Sequence, residues 1–235
     1  MKVKILDRKE IAKGTLYITF DSSIEEIKFK AGQFCRITLI NPPYTDARGD
    51  KRFLGFTTSP SQKNTFSVMT RIGVSGFKKS IAELPIGTEV EVGEIDGRII
   101  LPDDKSRHIV FVAGGIGISP VMGLLRFVSE ESWPYNITLI YSNTNHEWAP
   151  FLEELEGFAK ETQNFKLIAT MTQDPQWQGE KRRVNGQFIK EYFPKPEENL
   201  YFVTGTPRFV PIVFKEIKDI GVPIPNLRME IFTGY

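Results

Sequence analysis

The run Ile109-Val110-Phe111-Val112-Ala113-Gly114-Gly115-Ile116-Gly117-Ile118-Ser119-Pro120 constrains the fold more than any other segment. Five consecutive apolar residues make a strand with no polar side to show to water, so both of its faces need cover. Glycines break the strand, and Pro120 suits a first helical turn, where its missing N–H has no helical partner to lose. A buried strand turning at once into a helix opens a strand–helix–strand unit on a parallel sheet. The same grammar recurs at residues 137–141, 165–170 and 200–204, with helical patterns around 151–155 and over 210–220. A covered parallel sheet is therefore expected over the second half of the chain.

The first hundred residues follow another rule. Residues 16–20, 34–40, 65–70 and 89–92 alternate or run in β-branched and aromatic residues, and Gly32, Pro42-Pro43, Gly49-Asp50, Gly87 and Asp96-Gly97 punctuate them. Short strands at this spacing predict an antiparallel barrel. One helix interrupts it, with Phe77, Ile81 and Leu84 at helical spacing and Ser75 placed to cap it. The change of pattern sets the boundary near 102–107, giving a β-barrel domain over 1–103 and an α/β domain over 104–235. A length of 235 residues suits two such domains.

Composition removes several classes of function. Thirty basic against 29 acidic residues leave a formal charge of +1, without the basic excess that a sequence-independent grip on nucleic acid needs. One cysteine, Cys35, and two histidines, His108 and His146, exclude a disulfide framework, a cysteine-ligated zinc and a chain-borne iron–sulfur cluster, so no metal is expected. Cys35 reads as a core packer and His108 as an exposed structural residue. No apolar run approaches the ~20 residues of a membrane span, and the N-terminus lacks the apolar core of a signal peptide. The expectation is a cytoplasmic protein.

Four segments carry chemical promise. The glycine-rich turn at 114–120 sits at a helix start, where free N–H groups and the helix dipole favour a pyrophosphate; the alternative is a tight turn without a ligand. It is neither GxGxxG nor a P-loop. The stretch Arg52-Phe53-Leu54-Gly55-Phe56-Thr57-Thr58-Ser59-Pro60 can set a guanidinium on a phosphate, or Arg52 is a surface charge. The turn Arg71-Ile72-Gly73-Val74-Ser75-Gly76-Phe77 opens a helix and is either a second anion site or an ordinary cap. The ending Glu230-Ile231-Phe232-Thr233-Gly234-Tyr235 either frays, fills a core edge, or presents Tyr235 to a flat ligand. Lys181-Arg182-Arg183 is a basic loop cluster that is either solvated or close to a ligand phosphate.

Taken in order, these segments resemble the ferredoxin–NAD(P)+ reductase-type flavoproteins, in which an FAD-binding barrel precedes an NAD(P)-binding α/β domain. Arg52 and Pro60 fit the family's R-x-[YF]-[ST]-x-x-x-x-P stretch, and Gly73-Val74-Ser75 fits its G-x-x-S phosphate turn. Residues 114–120 match its GG[IV]G[IV][ST]P signature. Tyr141-Ser142-Asn143, Val203-Thr204-Gly205-Thr206-Pro207 and Phe232-Thr233-Gly234-Tyr235 fall where the family has Y-S-N, V-C-G-P-P and an aromatic ending. The resemblance implies FAD with NADH or NADPH as cofactors, and a separate electron acceptor such as ferredoxin, flavodoxin, a quinone or another small oxidant. It implies Arg52 on the FAD pyrophosphate, with the turn of Gly73, Ser75, Gly76 and Phe77 helping. Phe53, Leu54, Gly55, Phe56 and Thr57, with Met69, Thr70 and Arg71, would contribute to the rest of the flavin site. Gly114, Gly115, Ile116, Gly117, Ser119 and Pro120 would hold the second pyrophosphate, with Ser142 and Asn143 nearby. Thr204, Gly205 and Thr206 would sit beside the nicotinamide, and Tyr235 would cover the flavin ring. Gly55, Thr204 and Tyr235 are the positions nearest the redox step.

Departures from the family pattern bear on that step. Leu54 stands where an aromatic usually stacks on the flavin, Gly55 where a Ser or Thr usually donates, and Thr204 where a Cys is usual. Phe53 or Phe56 is the substitute ring, both read by alternation as facing away from Leu54. These departures leave two other readings open: an electron-transfer subunit without hydride transfer, and a nucleotide-binding module without flavin. Residues 142–146 offer no fixed cation for a 2′-phosphate, which favours NADH, although Lys181-Arg182-Arg183 lies within reach on a later loop.

Overall fold

The computed structural model describes residues 1–233. The described chain forms two compact units, residues 1–100 with 119–127, and residues 101–118 with 128–233.

The first unit is built on six antiparallel strands: β1 (Lys2–Ala12), β2 (Thr15–Asp21), β3 (Phe34–Leu39), β4 (Lys51–Gly55), β5 (Thr65–Arg71) and β6 (Glu89–Asp96). They lie in the order β4-β3-β6-β1-β2-β5. The end strands meet through the Phe56–Val68 bridge, so the sheet curls like a barrel without closing. β1 reads as a charged segment, yet Val3 and Ile5 point inward at alternate positions and anchor it. Inside, Phe20 stacks on Phe66 with ring centroids 5.1 Å apart, and Phe56 on Phe29 at 3.9 Å. Cys35 is fully buried in the same core, and burial pushes its thiol pKa up. Helix α1 (Gly76–Glu83) follows β5; Ser75 caps it, its hydroxyl accepting from the Lys78 N–H, while Phe77 and Ile81 face the core.

The second unit is a five-stranded parallel sheet of β7 (His108–Gly114), β8 (Asn136–Asn143), β9 (Phe165–Met171), β10 (Leu200–Gly205) and β11 (Leu227–Ile231). The order is β11-β10-β7-β8-β9. Every residue of β10, and all but the first of β7, is buried, as expected for strands covered on both faces. Helix α2 (Ile118–Glu130) belongs through residues 119–127 to the first unit, and helices α3 (Leu152–Glu161), α4 (Gly186–Tyr192) and α5 (Val210–Asp219) follow in the second. Phe188 and Ile189 of α4 and Val213 and Ile217 of α5 pack in one apolar cluster with Val110, Val112, Tyr201 and Val203. His108 departs from expectation: it is half-buried, its Nε2 lies 2.9 Å from Thr138 Oγ1, and desolvation lowers its pKa. No helix among the described residues is long and apolar enough to cross a membrane.

Candidate functional site

In the first unit the chemistry gathers at Arg52. The side chain projects inward from β4 and is only 6% exposed. Its Nη1 donates to the carbonyls of Arg48, Gly49 and Lys51 at 3.0, 3.2 and 2.6 Å. Its Nε and Nη2 are buried and have no partner. Its guanidinium lies 5.2 Å from the Phe77 ring centroid. Buried donors without acceptors are costly, about 1–3 kcal/mol each and more when charged, so such a group marks a place for an incoming anion. Lys78, in the first turn of α1, is also buried; desolvation lowers its pKa first, and the charges of Arg48, Arg52 and Arg71 lower it further. Four cations thus converge beside the capped start of α1, an electropositive cluster that could hold an anion. Arg48 and Lys78 carry no motif that marks them in the sequence, and only folding brings them to Arg52.

The neighbouring positions are closed. Leu54 and Phe56 both join the barrel core, which corrects the expectation that Phe56 lies opposite Leu54. Positions 54 and 56 are two apart, so strand alternation itself sets them on one face, with Phe53 on the other, and the Phe56 N–H donates to Gln33 O at 3.0 Å. Phe53 is the exposed ring, at 44%. Thr57 is buried and donates to Ser67 O at 2.9 Å, and Met69 is fully buried. Thr70 Oγ1 is buried and unpartnered. Arg71 donates to Thr15 Oγ1 at 2.5 Å. Gly73 and Ser75 are partly exposed beside Lys78, whose stem would meet a Cβ on Gly73 at 3.0 Å. At Gly55 a Cβ would lie 2.7 Å from Pro120 Cδ, and Ser119 Oγ donates to Gly55 O at 2.8 Å. The space for a side chain at position 55 is therefore filled by the first turn of α2. The buried Arg52 nitrogens remain without partners, while Leu54, Gly55, Phe56, Thr57 and Met69 present no open surface to a ring.

In the second unit the strand order reverses between β7 and β10. Ligands of open α/β sheets bind beyond the carboxyl ends of the strands at such a switch point. The two turns that meet there are Gly114-Gly115-Ile116-Gly117 and Gly205-Thr206. A Cβ on Gly117 would lie 2.5 Å from Gly205 Cα and 2.6 Å from Thr204 O, so these turns pack backbone on backbone. Thr204 Oγ1 is buried and donates to Gly117 O at 3.2 Å, tying the turns together and leaving no hydroxyl facing outward. Gly114 lies under the Phe209 ring, Ile116 is buried, and Thr206 Oγ1 accepts from the Phe209 N–H at 3.3 Å. The glycines thus bring the two turns together rather than leave an empty cradle. At the end of β8, Ser142 is partly exposed, and Asn143 is buried with its Nδ2 unpartnered. The Asn143 carbonyl accepts from the Thr172 N–H at 2.9 Å. An orphaned buried donor at the carboxyl end of a strand fits a polar nucleotide atom. Tyr235 lies outside the described residues.

Beyond β8 and β9 a second cluster forms that has no motif in the sequence. His146 Nδ1 lies 2.5 Å from Asp174 Oδ2, and Asp174 also accepts from the N–H groups of His146, Gln176 and Trp177. The His146 contact, then these backbone donors, bring the Asp174 pKa down to about 2. The Lys181-Arg182-Arg183 cluster is largely spoken for: Arg182 pairs with Glu180 and Glu191, both at 2.6 Å, and Lys181 Nζ donates to Pro175 O.

The two units pair a barrel-like antiparallel sheet, carrying a cluster of buried cations, with a covered parallel sheet whose strand order reverses once. Residues 111–215 match the family model described as the oxidoreductase NAD-binding domain. NADH-cytochrome b5 reductase 1 of Aspergillus terreus is 26% identical over 189 residues, covering 74% of this chain and 64% of that protein. Sulfhydrogenase 1 subunit gamma of Pyrococcus furiosus is 26% identical over 230 residues, covering 96% of this chain and 76% of that protein. A ferredoxin NADP+ reductase from Neisseria gonorrhoeae, crystallised with bound FAD and NADP, superposes with a TM-score of 0.82 at 19% identity, covering 100% and 98% of the two chains. The chain thus spans 64% of the length of the fungal reductase it matches. Its fold is that of the ferredoxin NADP+ reductase it superposes on, and residues 111–215 are similar to the oxidoreductase NAD-binding domain.

Proposed function

We propose that this chain is an FAD-dependent NAD(P)H oxidoreductase that takes hydride from NADH and passes electrons to a separate acceptor. The observation that carries this reading is the buried Arg52 guanidinium with two unpartnered nitrogens, an anion seat on the barrel of a chain that also holds an oxidoreductase NAD-binding domain. Bound FAD would supply the hydride acceptor and release electrons one or two at a time. The chain's own work is placement. Arg52 and Lys78 neutralise the diphosphate, and Ser75 keeps the start of α1 ordered. The 114–117 and 205–206 turns carry the nicotinamide nucleotide, and Asn143 Nδ2 donates to it. Phe53 is the ring available to the flavin side.

NADH is the proposed donor because Arg182, on the loop after β9, is held by two carboxylates and is not offered to a 2′-phosphate. The acceptor is a soluble redox partner: ferredoxin, flavodoxin, a quinone, or a small haem protein of the kind named for the fungal relatives. A specific observation favours a second reading, a flavoprotein subunit with slow or absent hydride transfer. Pro120 fills the space of a side chain at Gly55, and Thr204 turns its hydroxyl inward, so neither position supplies a donor at the reacting atoms. Flavin content of the purified protein and NADH-dependent reduction of an artificial acceptor test the reading. FAD at one equivalent and turnover with NADH above NADPH are expected; a colourless protein that binds no FAD overturns it.

A further inference from the structure

Arg52 is unsatisfied although a carboxylate lies close by. Asp46, in the connection between β3 and β4, is near enough for its charge to act on Arg52, yet it spends its oxygens on backbone. It accepts from the Gly76 N–H at the first residue of α1, a very short contact, and from the Arg48 N–H at 2.7 Å. These two N–H groups, and then the charges of Arg52 and Arg48, hold its carboxyl below the usual range. The loop that carries it is tacked down along α1. Tyr44 N–H donates to Ser80 Oγ at 3.1 Å, Ser80 Oγ to Tyr44 O at 3.0 Å, and Tyr44 Oη to Glu83 at 2.8 Å. A Cβ on Gly76 would lie 2.8 Å from Thr45 C and 3.0 Å from Asp46 N, so the loop rests directly on the helix start. Arg52 Nη1 clamps the far end of the same loop through three carbonyls.

We propose that Asp46 is a built-in competitor for the flavin diphosphate: its carboxylate closes the start of α1 in the ligand-free protein, and the loop over 44–49 lifts when the dinucleotide binds. The inference rests on the flavin reading above and adds the residue that sets its affinity. A phosphate oxygen seated between the buried Arg52 nitrogens and the helix start uses the N–H that Asp46 occupies. One N–H does not serve two anions, and two adjacent anions repel. The cations remain for the ligand, because Arg52 Nε and Nη2 and the Lys78 ammonium take nothing from Asp46. The ligand class selected is a diphosphate ester, so FAD and ADP compete with Asp46, whereas uncharged riboflavin does not.

The test uses the full chain stripped of flavin, titrated with FAD, ADP and riboflavin. Asp46→Asn keeps an oxygen for the Arg48 N–H, and so the turn, while removing the charge; Asp46→Ala removes both. Asp46→Asn is expected to bind FAD and ADP at least tenfold more tightly and to associate faster, with riboflavin unchanged. Equal or weaker FAD binding by Asp46→Asn overturns the proposal and leaves the flavin reading standing. Failure of every variant, wild type included, to bind FAD defeats the flavin reading itself. Amide exchange on the wild-type protein gives a check independent of any substitution. Adding FAD should expose amides of residues 44–49 and protect those at the start of α1; unchanged or greater protection of the loop overturns the proposal.

Discussion

Gly117→Ala and Gly157→Ala place the same methyl group in the same folded unit and should move its stability in opposite directions. At Gly117 the new carbon would lie 2.5 Å from Gly205 Cα and 2.6 Å from both Gly205 N and Thr204 O. All three are backbone, and they cannot step aside: Thr204 is paired with Ala113 in the sheet, and Gly205 O accepts from the Phe232 N–H. Overpacking of this kind costs about 1–3 kcal/mol, and with no flexible side chain to yield the upper end applies. At Gly157, inside α3, a Cβ meets nothing within 4 Å. There the gain is helix propensity, about 1 kcal/mol. At roughly 2–4 °C per kcal/mol for a chain of this size, Gly117→Ala should melt about 6–12 °C lower and Gly157→Ala about 2–4 °C higher. Trp133, Trp148 and Trp177 all lie in the second unit, so tryptophan fluorescence during heating reports that unit. A Gly117→Ala protein melting at the wild-type temperature would refute the claim that the two turns pack backbone on backbone. A destabilised Gly157→Ala would refute the assignment of open space on α3.

Four further outcomes are expected. Arg52→Gln should lower FAD affinity by at least tenfold, measured by flavin fluorescence on titration, because a charge-assisted phosphate contact is lost. Asp174→Asn should lower the melting temperature at pH 7, with the difference vanishing in acid. The native carboxyl at about 2 lies below its free value of 3.8, so its contribution is present above about pH 4 and lost as pH falls through 2. Thermal melts across that window read it, and a difference that does not shrink between about pH 4 and pH 2 contradicts the pairing with His146. Replacing Glu180 and Glu191 together by Gln should release Arg182 and raise NADPH affinity relative to NADH, read from initial-rate KM values. Cys35 should resist a thiol reagent in the native protein and react once unfolded, since its thiol is buried with a raised pKa.

The parallel sheet was legible because its strands are apolar throughout, a signal that survives without tertiary context, and the glycine-rich turn marked the end of β7. β1 was not: its inward residues Val3 and Ile5 are separated by lysine in a segment otherwise charged. β11 was also missed, since only two of its five residues are buried at the sheet edge. Ser75 was marked by capping logic and caps α1, while Arg52 was marked by its resemblance to a family stretch and its burial sets aside the alternative of a surface charge. The direction of Phe56 was misread because residues two apart on a strand, as Leu54 and Phe56 are, share a face and only their neighbour Phe53 faces away. Asp46, Arg48 and Lys78 share no motif; they come together only when the β3–β4 loop folds over α1. The same holds for His146 and Asp174, 28 residues apart and joined across the ends of two strands.

On the proposed reading, hydride moves from a nicotinamide nucleotide to a flavin held on this one chain. Rapid mixing of the oxidised holoprotein with NADH, without oxygen, reads this directly in the flavin absorbance. Bleaching within seconds, slowed severalfold when the transferred hydrogen is deuterium, is the result this account predicts. A flavin that stays oxidised for minutes with NADH and with NADPH would contradict it.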